Sequence, residues 1–247
     1  MSKWFSYNWK LNNIPAGFSV DLSYAENPQV LYGHTTLIYL VCSAKNESGF
    51  SHGEHRYLDK ILKKSIRLLG ENTCYVGNIL LPSKCYYYYY TDDPRLLVAL
   101  FGMCTSESKM KLECSKAEEP DFATYFRQLC PDEAKYQTHN NRLYIDQMKK
   151  RGDDLSVPRR ISMHLCFPSL GQADPFLSQA KQAGFAIGHI DCNEAYQLPY
   201  SVILHAISPL TSESLDAITT KAISIAQKNA GVFNRLDSDY IPVRKHL

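Results

Sequence analysis

The sequence predicts an α+β protein of two ferredoxin-like units, the first carrying an extra N-terminal β-hairpin. Three observations carry this. The order strand–helix–strand–strand–helix–strand, which marks a ferredoxin-like split βαβ unit, is readable twice along the 247 residues. A polar, proline-bearing stretch, "KAEEPD" (116–121), separates the two runs. Ahead of the first run, two short β-prone segments flank "LNNIP", where Asn tolerates a left-handed backbone and Pro presets φ.

Residues 4–10 and 16–22 make the predicted hairpin. "TTLIYLVCSA" (35–44) is a β-branched, apolar run suited to a buried strand. The helix over "HGEHRYLDKILKKSIRLLG" gathers Leu58, Ile61, Leu62, Ser65, Leu68 and Leu69 on one face, and Gly70 stops it. Lys60, Lys63, Lys64 and Arg67 take the opposite face, which reads as solvated rather than as a binding patch. "TCYVGNILLP" (73–82) and "KCYYYYYT" (84–91) are adjacent strands with a tight connection at Pro82-Ser83. In "DPRLLVALFGM", Asp93 caps a helix, Pro94 takes its first position, and Leu96, Leu97, Leu100 and Phe101 turn inward. "KMKLECS" (109–115) supplies the last strand of this unit.

A helical region runs from about 121 to 151, broken at Cys130-Pro131, and "GDDLSVPRR" interrupts it with Gly and Pro. The pattern then repeats. "ISMHLCF" (161–167) alternates as a strand. "DPFLSQAKQAG" reuses the Asp-Pro helix start, buries Phe176, Leu177, Ala180 and Ala183, and stops at Gly184. "FAIGHID" and "YSVILHAIS" are strands. A long helix from a Thr211 or Ser212 cap to Gly231 points Leu215, Ile218, Ala222 and Ile225 inward, and "VFNRLD" closes the sheet. The expected organisation is a first domain over 1–118, a helical connection over 119–135 and a second domain over 136–247.

Composition narrows the function classes. The chain is 45% hydrophobic and 21% charged, enough for a core in both units. Its formal charge is +2, spread as +1 over 1–119 and +1 over 120–247, so neither half is a basic nucleic-acid module. The first residues lack the apolar stretch of a signal peptide, and no window approaches the roughly 18 apolar residues of a membrane span, so the chain reads as cytoplasmic. Eight cysteines occur with no C-x-x-C pair, and they read as buried thiols.

"CYYYYYTDDP" is the most unusual stretch. On a strand, Tyr86, Tyr88 and Tyr90 take one face and Tyr87 and Tyr89 the other. One set belongs under the helices. The other packs against the hairpin or the second domain, or offers rings on which bases stack.

The second half resembles the ribonuclease E regulator B (RraB-like) family. The resemblance rests on "GDDLSVPRRISMHLCF", "FLSQAKQAGFAI" and "YSVILHAISPLTSESLDAITTKAISIAQKNAGVF", spanning about 136–235. The first half resembles a bacterial family, domain of unknown function 695, through "WFSYNW", "VDLSY", "CYVGNILLPSKCYYYYY" and the helix after it. The RraB-like resemblance implies a ferredoxin-like fold and a non-enzymatic protein that binds ribonuclease E and modulates RNA decay. The Asp-Gly-Trp that often follows the last helix in that family is absent, "VFNRLDSDYIP" standing in its place.

Candidate binding residues are few. Asp153 and Asp154 precede a strand that Arg159 and Arg160 begin. They can pair across the turn, or form an anion or partner site, since the Arg fork binds carboxylate or phosphate with two bonds. His164 and Cys166 share a strand face, where a thiolate–imidazole pair is conceivable but a core role is the simpler reading. His52, His55 and Asp59 on a helix start are too sparse to specify a metal. No phosphate loop, H-E-x-x-H or G-x-S-x-G motif is present. The sequence therefore predicts a non-enzymatic regulatory protein with a protein partner, no cofactor and no metal. Its binding residues are drawn from Asp153, Asp154, Arg159, Arg160, His164, Tyr86, Tyr88 and Tyr90. Two alternatives stand beside it: an immunity or antitoxin protein that caps a toxin, and a single-stranded RNA binder using the tyrosine strand.

Overall fold

The computed structural model describes residues 2–93 and 95–243. The chain divides into two compact units, up to Pro131 and from Asp132 on.

The first unit runs β1 (Trp4–Leu11), β2 (Ile14–Asp21), α1 (Ser23–Glu26), β3 (Thr36–Ser43), α2 (His52–Leu69), β4 (Thr73–Leu80), β5 (Lys84–Thr91), α3 (Leu96–Ser106) and β6 (Lys111–Glu118). Its six strands form one antiparallel sheet in the order β1-β2-β4-β5-β3-β6. Without the hairpin, the fourth strand neighbours the first, the first the third, and the third the second, which is the ferredoxin-like order. Asn12 and Asn13 both adopt positive φ (50° and 66°), the backbone of a two-residue hairpin turn. Gly77 lets the hairpin dock: a Cβ there would lie 2.4 Å from the Ser19 carbonyl oxygen.

The second unit runs α4 (Glu133–Lys150), β7 (Arg159–Phe167), α5 (Leu170–Gln182), β8 (Ala186–Cys192), β9 (Tyr200–Ser208), α6 (Ser212–Gln227) and β10 (Val232–Ser238). Its sheet order, β10-β7-β9-β8, repeats the same topology. Ile161, Met163, Leu165 and Phe167 of β7 pack with Phe176, Ala180, Leu215 and Ala222 of α5 and α6 in one core. Helix α4 adds to α6 through polar contacts: Asn141 Nδ2 donates to Asp216 Oδ1 and Thr219 Oγ1, both at 2.9 Å.

The tyrosine strand β5 is covered on both sides. Tyr87 and Tyr89 sit with Leu58, Ile61 and Leu100 under α2 and α3. Tyr88 and Tyr90 join a second core built by Tyr7, Phe18 and Val20 of the hairpin, by Leu22 and Leu31, and by Phe122, Tyr125 and Leu129. The last three come from a segment that follows β6 and includes a π-helical turn at Thr124–Leu129. Tyr88 is 8% exposed and Tyr90 is fully buried, while Tyr86 is half-buried. Each such ring removes roughly 150–250 Å² from water, on the order of 4–6 kcal/mol at about 25 cal/mol per Å² before entropy is charged against it. The hydroxyls are satisfied as burial demands: Tyr87 donates to the Leu58 carbonyl (3.1 Å), Tyr89 meets Ser65 Oγ (2.6 Å) and Tyr90 donates to Glu119.

Some local expectations shift. Phe101 is 61% exposed, and Leu100 and Met103 form the buried side of α3. A helix apolar on nearly every side carries no periodicity to say which face goes in. Leu68 is likewise exposed, at the far edge of the α2 stripe. Helix α5 starts at Leu170, so Pro175 lies inside it rather than at its first position. The Ser169 carbonyl accepts the first amides, from Gln172 and Ala173. Helix α6 ends at Gln227, ahead of Gly231. The predicted role of Pro94 falls outside the described residues. Helix α2 begins with a capping box, a device absent from the sequence-based expectations: Ser51 accepts from the Glu54 amide, and Glu54 accepts from the Ser51 amide.

Candidate functional site

The two faces of β7 have different fates, and that difference creates the site. Odd positions enter the core. Arg160, Ser162, His164 and Cys166 point to the other face, which no helix among the described residues of this unit covers. The register places Ile207, His205, Ile203 and Ser201 of β9 beside them on one flank, and Asp237, Arg235 and Val232 of β10 on the other. Ile207 is 73% exposed and Val232 45%. The face is thus a patch of aliphatic side chains set among charges.

Two polar pairs order it. His164 Nε2 lies 2.7 Å from Asp237 Oδ2, two residues diagonally across the ladder. Ser162 Oγ lies 3.2 Å from His205 Nδ1. The His205 ring packs where any side chain at position 188 would stand, since a Cβ on Gly188 would fall 2.4 Å from Nε2. Cys166, on the same face, has its thiol pushed up by burial, and the His164 ring is engaged by Asp237. A protonated thiol beside an engaged imidazole is not an activated nucleophile.

At the Cys166 end the face opens into a cleft of about 670 Å³. The β8–β9 loop forms one wall with Tyr196, Leu198 and Pro199, β10 forms another with Val232 and Asn234, and Asp191 of β8 stands at its side. Among the described lining residues Asp191 carries the one formal charge. Its Oδ1 accepts the Cys192 amide at 2.8 Å, which fixes the carboxylate.

The four residues around the Gly-Asp-Asp loop do not gather into one site. Arg159 and Asp153 form a buried ion pair, their side chains 2% and 0% exposed. Arg159 Nη1 reaches both Asp153 oxygens at 2.7 Å and the Asp239 carbonyl at 3.1 Å, and Nη2 donates to the Asp154 carbonyl. The Ile241 amide donates to Asp153 Oδ2 at 2.9 Å. The pair therefore holds residues 239–243 against the loop. Asp154 accepts from the Ser156 hydroxyl and amide, which hold its carboxyl below the usual range. Arg160, one residue past Arg159 on the strand, emerges exposed on the open face beside Ile207. Tyr88 and Tyr90 are inside the first unit, and only the half-buried Tyr86 of that set meets solvent. His52, His55 and Asp59 are exposed on the first turns of α2. Among the described residues no three His, Cys, Asp or Glu side chains come together as a metal site, and no helix is long and apolar enough to cross a membrane.

Asp237, His205, Asp191 and Tyr196 are not among the residues that the sequence singles out. His205 was reachable by strand alternation along "YSVILHAIS". Asp237 needed the β7–β10 register, and Asp191 and Tyr196 needed the cleft.

Comparison with known proteins now places both units. Residues 2–130, just over half of the chain, match a family of unknown function, DUF695. The chain belongs to the DUF695 family. Beyond that DUF695 domain, residues 138–234 match the family described as regulator of ribonuclease activity B, RraB, and form an RraB domain. The cleft lies within this RraB match, as does the open face up to Asn234, with Arg235 and Asp237 just beyond it. No curated protein matches the chain. A solved structure of a candidate glycine cleavage system transcriptional repressor aligns at 6% identity and a TM-score of 0.26, over 83% of this chain and 98% of that one.

Proposed function

We propose that this chain is a non-enzymatic regulatory protein that binds a protein partner of the ribonuclease class through the open face of its RraB domain. The observation that carries the reading is the RraB match itself, which covers all of the face except Arg235 and Asp237 at the end of β10. The surface chemistry supports it. Exposed Ile207 and Val232, with half-buried Ile203, offer apolar area, and Arg160, Arg235 and the His164–Asp237 pair surround it. An apolar centre within a polar rim is the usual anatomy of a protein interface. Ser162 lies 3.2 Å from His205 on this face, but among the described residues no carboxylate orients that imidazole, so the contact lacks the third member of a catalytic triad. The tyrosine strand contributes through the stability of the first unit, since four of its five rings are buried.

The test is cleavage of a fluorogenic RNA by a purified ribonuclease E-type enzyme with and without the full chain. The expected result is a concentration-dependent change in cleavage rate. The double variant Arg160→Glu/Ile207→Asp, with unchanged circular dichroism, shifts the midpoint by at least about tenfold, because it reverses a charge and puts a carboxylate where an apolar side chain stood at the interface centre. An unchanged cleavage rate, together with no complex by analytical ultracentrifugation, overturns the proposal.

A further inference from the structure

We infer that the cleft at the Cys166 end of the open face receives an arginine side chain of the protein partner. This rests on the protein-binding reading above and names what that partner presents.

The cleft is anionic and has no cation of its own among the described residues. Asp191 is the charged residue of its described lining, and it enters no ion pair among the described residues. Glu194, on the same loop, is exposed and adds negative charge nearby. The Asp191 carboxylate is already oriented by the Cys192 amide, and a carboxylate retains acceptor sites after one such bond. Leaving it unpaired in a protein interface is costly, so the occupant brings the opposite charge.

The surroundings select a guanidinium over an ammonium. Tyr196, 68% exposed, presents a ring onto which a flat cation can stack. The Gln197 and Asn234 side-chain amides line the same cleft and add carbonyl acceptors to the one carboxylate, which suits a planar five-donor fork better than a point charge, while Asn193 Oδ1 accepts the Ala195 amide at 3.1 Å. Leu198, Pro199 and Val232 supply apolar wall for the methylene stem. A single desolvated arginine anchored in a pocket is also a common energetic centre of protein interfaces.

The experiment is a ¹⁵N-amide NMR titration of the full chain with three blocked tripeptides, Gly-Arg-Gly, Gly-Lys-Gly and Gly-citrulline-Gly, and with guanosine monophosphate. The arginine peptide is expected to shift amides in 191–201 and 232–234. The neutral citrulline peptide binds at least about tenfold more weakly, because a charge-assisted hydrogen bond is missing. Asp191→Asn removes the difference between the two, and Tyr196→Ala weakens the arginine peptide several-fold while leaving the preference intact. Equal binding of arginine and citrulline peptides, shifts confined to other surfaces, or preferential binding of the nucleotide each overturn the inference. The ribonuclease assay separates the two proposals. Arginine binding without any effect on cleavage removes only the ribonuclease-class partner. A working regulator that Asp191→Asn leaves unchanged removes only the arginine cleft.

Discussion

Strands β5 and β9 occupy the same place in their two sheets, each the third strand of its ferredoxin-like core once the N-terminal hairpin is set aside, and each central. Both turn one face to two helices. On the second face they part. Tyr88 and Tyr90 of β5 are shut in by the N-terminal hairpin, the 22–31 segment and the stretch after β6. Ser201, Ile203, His205 and Ile207 of β9 meet no such cover among the described residues of their unit and remain half-buried or exposed. The difference shows that the topology leaves one sheet face free, and that what the chain adds around it decides whether the face becomes a second core or a recognition surface. In the first unit the additions are aromatic and build a core. In the second, the added elements α4 and residues 239–243 pack elsewhere, and the face keeps its charges.

The comparison can be broken at its strongest points first. Tyr90→Ala empties a fully buried site and should cost the first unit about 3–5 kcal/mol, as large-to-Ala changes of aromatic core residues do. Urea unfolding with hydrogen exchange resolved by unit reads this, and a decrease of less than about 1 kcal/mol would mean that the second core is loose. Asp153→Ala leaves Arg159 buried without its partner and should cost the second unit a similar amount, about 3–5 kcal/mol. The companion double variant Asp153→Ala/Arg159→Met should recover part of that loss; no recovery in the same unfolding experiment would show that packing, not charge, is at stake.

A smaller effect is confined to acid. Burial works against the charge of Asp21, but hydrogen bonds from the Lys3 amide (2.7 Å) and the Ser23 amide (3.0 Å) outweigh it and hold the carboxyl below its ordinary value. A depressed folded pKa stabilises above the unfolded value of 3.8 and loses that contribution as pH falls through the lower folded value. The cover of β5 should therefore loosen below about pH 4. Asp21→Asn should flatten that acid limb in a pH series of melting temperatures; an unchanged limb would assign acid loss to other carboxylates. Smallest of all, Ile207→Ala should change stability by less than about 0.5 kcal/mol, as exposed substitutions do. A decrease above about 1 kcal/mol by thermal melting would show that the β9 face is packed after all.

Much of this was legible in the residues. Element order, the Asn-Asn hairpin turn, the Pro82-Ser83 connection and the inward stripe of α2 all follow from local chemistry acting over a few positions. The facing of α3 was not, because Val98 and Phe101 are as apolar as Leu100, which goes inside. The start of α5 is not legible, because Asp174-Pro175 imitates a helix start about one turn after the true one at Leu170. Of the candidate residues, the reading of Asp153 with Arg159 as a pair across the turn is what the geometry shows, and the same turn sends Arg160 to the opposite face by simple alternation.

Residue order alone was enough for two runs of the same element order, the strand on which five tyrosines alternate, and the pair of families to which the halves are similar. Periodicity and turn chemistry are local and survive without a partner. Packing between distant segments set which sheet face was closed, that His164 meets Asp237, and that Asp191, Tyr196 and Val232 border one cleft. Those facts depend on register and on contacts between residues tens of positions apart. A strand's alternation says that it has two faces, and only the elements packed around it say what covers each.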